Sequence, residues 1–122
     1  MILVDTSVWI DHFRRNEPGL AALLSEASVL THPFVLGELT CGNLKNRAVI
    51  LRHLETLPGA VPATHNEVLR LIEDRKLWGR GIGWIDAHLL ASALLSSCVL
   101  WTRDESLDPA ATQAGVKLYR GA

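Results

Sequence analysis

The chain of 122 residues contains little that would assign it to a secreted, metal-stapled or membrane class. Cysteine occurs twice, at Cys41 and Cys98, with no metal-ligand spacing; both are read as reduced core thiols of a cytoplasmic protein. No apolar run is long enough to cross a bilayer, because the stretch from Ile85 to Trp101 is broken by Asp86, His88 and three serines. Strand-like residues starting at position 2 lead to the expectation that there is no signal peptide. None of the five histidines pairs with another at ligand spacing. Repeats, linkers and low-complexity segments are missing, so residues 1–122 are expected to form one domain. Net charge is only −1, but a hydrophobic content of 48 % against 20 % charged residues excludes disorder.

What is present alternates. "ILV", "SVLTH", "CVLWT" and "VKLY" read as short buried strands, with "GAVPA" as an edge strand. Between them, "TSVWIDHFRR" ends on basic residues that suit a helix C-terminus, and Pro18 and Pro33 suit the first turns of two more helices. Residues 45–56 and 64–78 repeat apolar side chains at helical offsets, and "WIDAHLLASALL" is a further amphipathic helix. Apolar strands alternating with helices predict an α/β fold of three α/β/α layers around a central, mostly parallel sheet.

Four carboxylates occupy costly positions. Asp5 ends the first strand, Glu38 lies among Phe34, Val35, Leu36 and Leu39, Asp86 opens an apolar helix, and Asp104 follows "CVLWT". Each has a plain structural explanation. Asp5, Thr6 or Ser7 could cap a helix, Glu38 could be solvated, Asp86 could complement a helix dipole, and Asp104 could start a turn before Asp108 caps the next helix. In open α/β sheets, however, sites form beyond the carboxyl ends of the strands, where two of these acids fall. Acids in apolar sequence need partners, and clustered oxygen ligands suit Mg²⁺ or Mn²⁺.

Taken together, "ILVDTSVW", "PFVLGELTCG", "GIGWIDAHLLASALL" and "LWTRDESL" resemble, in that order, the four acidic motifs of PIN-domain nucleases. The likeness extends along essentially the whole chain and is greatest to the VapC-type toxins of toxin–antitoxin modules. It implies an α/β/α fold, ribonuclease activity, and Mg²⁺ or Mn²⁺ held by Asp5, Glu38, Asp86 and Asp104, with Thr6 and Thr102 as recurrent hydroxyls beside the first and fourth acids. It also implies an RNA substrate, a cognate antitoxin and a homodimer, with no membrane. The chain has Ser106 and Leu107 where the family often has a polar or acidic residue and then an aromatic, so whether Asp108 assists Asp104 is left open.

The remaining signals are weaker. "GIGWID" lacks the third glycine of a dinucleotide fingerprint and follows a polar run; Gly81 and Gly83 are read as a sharp entry into the Asp86 helix. His88 could stand behind the acids, whereas His12, His32, His53 and His65 are read as surface or cap residues. Ser7 has no His/Asp relay, which argues against acyl chemistry. Trp9, Trp78, Trp84 and Trp101 are read as core or interface. Setting the four acids aside leaves 9 acids against 12 bases, a remainder of +3 that suits a polyanion. Arg14, Arg15, Lys45, Arg47, Arg75, Lys76, Arg80 and Arg103 are its candidate contributors. The expectation is a metal-dependent endoribonuclease toxin with one or two metals. Its rivals are a PIN-like scaffold that does not cleave and a phospho-aspartate receiver, the latter lacking a second acid beside Asp5 and a late-strand lysine.

Overall fold

The computed structural model describes residues 1–121. Elements follow in the order β1 (Ile2–Val4), α1 (Thr6–Arg15), α2 (Pro18–Ser25), β2 (Val29–Leu30), α3 (Pro33–Cys41), α4 (Arg47–Glu55), α5 (His65–Arg75), α6 (Trp84–Leu95), β3 (Val99–Trp101) and α7 (Leu107–Ala114). The sheet has the order β2-β1-β3 and both pairings are parallel, as the alternation of strands and helices predicts. Successive strand residues face opposite sides, and Leu3 and Val4 are both fully buried, so both faces of β1 are covered. This is the three-layer α/β/α arrangement.

Two expected strands shrink to single parallel bridges, Thr31 with Gly59 and Leu100 with Leu118. Pro58 and Pro62 flank the first and remove the amide donors that a longer ladder would need. Pro109 lies inside the first turn of α7, which begins at Leu107 and so before the expected cap at Asp108.

The core joins all three strands to Val8, Trp9, Leu20, Leu39, Leu89 and Leu107. Small residues, Ala63, Ala87 and Ala91, let α5 and α6 meet closely around Val68. Several residues lie elsewhere than expected. Cys41 is exposed, being two positions from Leu39 and so on the other side of α3; Cys98 is half-buried. Trp9 and Trp101 are buried, whereas Trp78 and Trp84 are exposed.

His32 is not a surface residue: it is 2 % exposed and caps α3 from inside. Its Nδ1 accepts from the Phe34 amide at 3.0 Å, so in the neutral ring Nε2 carries the proton toward Ser92 Oγ at 3.0 Å. Burial, then the neighbouring His88, push its pKa down to about 4, so it stays neutral.

Because β1 is central, its packing governs everything built on its end. Leu3→Ala is expected to cost about 2–5 kcal/mol. Urea denaturation at unchanged slope is the measurement; a loss below roughly 1 kcal/mol would show that β1 is not the centre of the core.

Candidate active site

Parallel register places Val4 opposite Trp101, so Asp5 and Thr102 leave adjacent strands side by side. The Asp5 amide donates to the Trp101 carbonyl at 2.9 Å, extending the ladder by one residue. The Asp5 side chain is 8 % exposed and would be costly there without donors. It has three. Oδ1 accepts from the Thr6 amide at 2.8 Å, capping α1, and Oδ2 accepts from Ser7 Oγ and Thr102 Oγ1, each at 2.8 Å. The cap and the strand-end acid are therefore one carboxylate.

The two threonines connect Asp5 to further acids. Thr6 Oγ1 donates to Glu38 Oε1 at 2.7 Å, reaching from α1 to α3. Thr102 Oγ1 accepts from the Asp104 amide at 3.0 Å, which leaves its proton for Asp5. Asp104 Oδ1 in turn accepts from the Ser106 amide at 3.0 Å and the Ser106 hydroxyl at 2.7 Å. Asp86 sits in the first turn of α6, where its Oδ2 accepts from the Gly83 amide at 3.0 Å; Gly81, at φ +76°, lets the chain turn before it.

Asp86 is the member that reports on the others. Its pKa is raised, first by burial and then by the negative charges of Asp5, Asp104 and Glu38; the Gly83 hydrogen bond opposes this and loses. Residues 5, 38, 86 and 104, scattered over the chain, therefore share one electrostatic neighbourhood.

Among the described residues, no three histidine, cysteine or acidic side chains stand close enough to ligate one ion directly. The donor set is nonetheless all oxygen, which excludes a soft-metal site and fits a hard cation that keeps several waters and takes one or two carboxylates.

Three other candidates lie outside this group. Asp108 pairs with Arg120 at 2.9 Å, whose hydrogen bond holds its pKa down, and makes no contact with Asp104 through its carboxylate. His88 is buried between Phe34 and Trp84, with ring centroids 4.5 and 4.8 Å away, and has no hydrogen bond to an acid. Arg103 binds Asp11 and Glu17 and is not a free surface cation. Ser7 was overlooked as a site residue. Its signal was available: a hydroxyl two positions after a buried acid, in the first turn of a helix, can reach back to that acid.

The PIN domain family profile matches residues 2–112. The chain belongs to the PIN-domain family. This PIN domain is 49 % identical over 119 residues to Ribonuclease VapC32 of Mycobacterium tuberculosis, in strains CDC 1551 / Oshkosh and H37Rv, covering 97 % of the chain and 96 % of the relative. Its fold is similar to that of FitAcB from Neisseria gonorrhoeae, with TM-score 0.67 and 21 % identity over 98 % of this chain and 97 % of that one. It is also similar to PAE2754 from Pyrobaculum aerophilum, with TM-score 0.55 and 18 % identity over 93 % and 88 %.

The raised Asp86 pKa has a measurable consequence. The metal-free native PIN domain binds more protons at this residue than the unfolded chain, so Asp86's contribution falls as pH rises from about 4 through the raised folded value. Asp86→Asn retains an acceptor for Gly83 and removes the charge. At neutral pH it should raise metal-free stability by a few tenths to about 1 kcal/mol, discounted because the group is half open to water. Below about pH 4 the two proteins should melt together. A variant that melts lower at pH 7 would show that the helix cap outweighs the repulsion.

Proposed function

We propose that the chain is a Mg²⁺- or Mn²⁺-dependent endoribonuclease that hydrolyses RNA phosphodiester bonds, the toxin of a toxin–antitoxin pair. The observation that carries this reading is the hydrogen-bond network at the carboxyl end of the sheet in which Thr6 joins Asp5 to Glu38 and Thr102 joins Asp5 to Asp104; the Asp86 pKa, raised first by burial and then by these acids, agrees with it. The identity of 49 % to a ribonuclease over nearly all of both chains supports the reaction class.

In this reading Asp5, Asp86 and Asp104 would hold the cation or cations, directly or through bound water, with Glu38 completing the cluster in the same way. When bound, the cation supplies charge neutralisation at the scissile phosphate and a more acidic water for in-line attack. The protein's own task is to hold the carboxylates in place. The Ser7 and Thr102 hydroxyls and the Thr6 amide all donate to Asp5, which fixes its rotamer. Thr6 does the same for one oxygen of Glu38.

A cavity of about 460 Å³ adjoins Glu38, floored by Ile10, Phe13, Leu39 and Leu44 with Arg14 and Lys45 beside them. It gives single-stranded RNA an apolar surface for a base and cations for its phosphates. No helix among the described residues is long and apolar enough to cross a membrane. The remaining parts of the proposal are a cytoplasmic site of action, a homodimer and an antitoxin whose Arg or Lys enters the acid pocket. Exposed Phe34 on α3, and Leu69 and Trp78 on and after α5, offer it apolar contacts.

Cleavage of RNA should require Mg²⁺ or Mn²⁺, stop with EDTA and resume when the metal is restored. Asp5→Asn and Asp86→Asn should each lower the rate by at least roughly a thousandfold, about 4 kcal/mol of barrier, while the circular dichroism spectrum is retained. Undiminished cleavage by folded Asp5→Asn would sink the mechanism.

Growth supplies a separate check on the biological role. Expression of the wild-type chain in its host should arrest growth, and co-expression of the neighbouring small reading frame should relieve the arrest. A chain that cleaves RNA yet is harmless at high expression would leave the nuclease and remove the toxin.

A further inference from the structure

Arg103 looks in sequence like a cation available to RNA, but the fold pairs its guanidinium with two carboxylates of the protein. Its Nε donates to Asp11 Oδ2 at 3.2 Å, and its Nη2 pairs with Glu17 Oε2. The guanidinium carbon lies 5.4 Å from the centre of the Trp101 ring. Its backbone amide donates to Ser7 Oγ at 3.0 Å, and the Ser7 hydroxyl in turn donates a hydrogen bond to Asp5. Ser7 and Asp11 are four residues apart on α1, so one helix face receives both the main chain and the side chain of Arg103. Glu17 is held as well, because its other oxygen accepts from the Gly19 amide at 3.1 Å and caps α2.

The segment this anchors carries two site groups. Residues 103–106 are exposed, and Asp104 and Ser106 bond only to each other, to Thr102 and, through the Asp104 carbonyl, to the Leu107 amide at 3.1 Å. Apart from the Thr102–Asp5 bond, every hydrogen bond tying residues 102–106 to a distant part of the chain, among the described residues, is made by Arg103.

The geometry points to Arg103 as a positioning residue: it pins the loop after β3 onto α1 and α2, so that the Thr102 hydroxyl and the Asp104 carboxylate stand beside Asp5. This rests on the nuclease reading for its catalytic consequence but not for its structural one. Arginine suits the task because one planar fork can meet two carboxylates while lying against an indole; a lysine offers only a point charge.

Three variants test the assignment: Arg103→Ala, Arg103→Lys, and Asp11→Asn with Glu17→Gln. Amide hydrogen exchange on the metal-free proteins reads the loop without metal or RNA. The Arg103 and Asp104 amides should exchange faster in all three variants than in wild type, while β1 amides keep their protection. With Mn²⁺ and RNA, kcat should fall by roughly ten- to a hundredfold in Arg103→Ala and in the acid pair, with KM within about twofold. The salt dependence of RNA binding should not change. Combining Arg103→Ala with the acid pair should add nothing further.

A phosphate-contacting Arg103 predicts the reverse. Arg103→Ala would raise KM and flatten the salt slope by about 1, and neutralising Asp11 and Glu17 would tighten RNA binding by freeing the cation. Either result overturns the assignment, as does unchanged exchange in Arg103→Ala or full rescue by Arg103→Lys. If wild type cleaves no RNA, the nuclease reading fails while the exchange data still decide whether the clamp exists.

Discussion

A carboxylate buried at the end of the middle strand is the constraint on which this molecule is organised. Asp5 would be untenable at 8 % exposure without hydrogen-bond donors, and its donors come from different parts of the chain. Thr6 and Ser7 come from the helix that Asp5 caps, and Thr102 comes from the neighbouring strand, 97 positions away. Satisfying one side chain thus fixes the start of α1 and its relation to β3. The parallel register makes this possible, because both strands release their chains toward the same end of the sheet.

The same arrangement distributes the cost of the site unevenly. Asp5 is supplied with three donors, while Asp86 receives one amide and the repulsion of three acids. Asp86 therefore bears the cost of burial, with the repulsion of these acids added to it. Such strain is what a cation would relieve, and it persists only because the core beneath it is closely packed. Metal-free stability and the proposed cation binding would oppose each other at this residue.

The legible parts of the sequence were those in which one residue's surroundings are set by its immediate neighbours. The three strands and most helices follow from apolar periodicity and from prolines at helix starts, and the position of Asp5 follows from "ILV" running into it. What depended on distant partners was not legible. The charge of Arg103 says nothing of Asp11 and Glu17 until the fold brings them together. Asp108 looked available to Asp104 until Arg120 claimed it. His32 looked like a cap, which it is, but its burial comes from α6 covering it through Ser92. The two strands that shrank to bridges did so for a local reason only in part: Pro58 and Pro62 beside the expected edge strand were visible, while the shortness of the bridge at Leu118 was not.

The charge distribution shows how far a summed charge can mislead. The remainder of +3 outside the four acids counted Arg103, whose charge is neutralised within the protein by two carboxylates. A general positive field is therefore a poor account of how a polyanion would be drawn to the acids. Local placement is a better one, since Arg14 and Lys45 border the cavity that contains Glu38. With a Debye length of about 8 Å at physiological salt, only cations this near the cluster retain their pull on a phosphate. In the proposed reading the acids would repel RNA, and a cation bound there together with these two bases would have to outweigh that repulsion. A cation held by Asp5, Asp86 and Asp104 would supply the neutralisation without which the cluster's own charge works against an incoming phosphate.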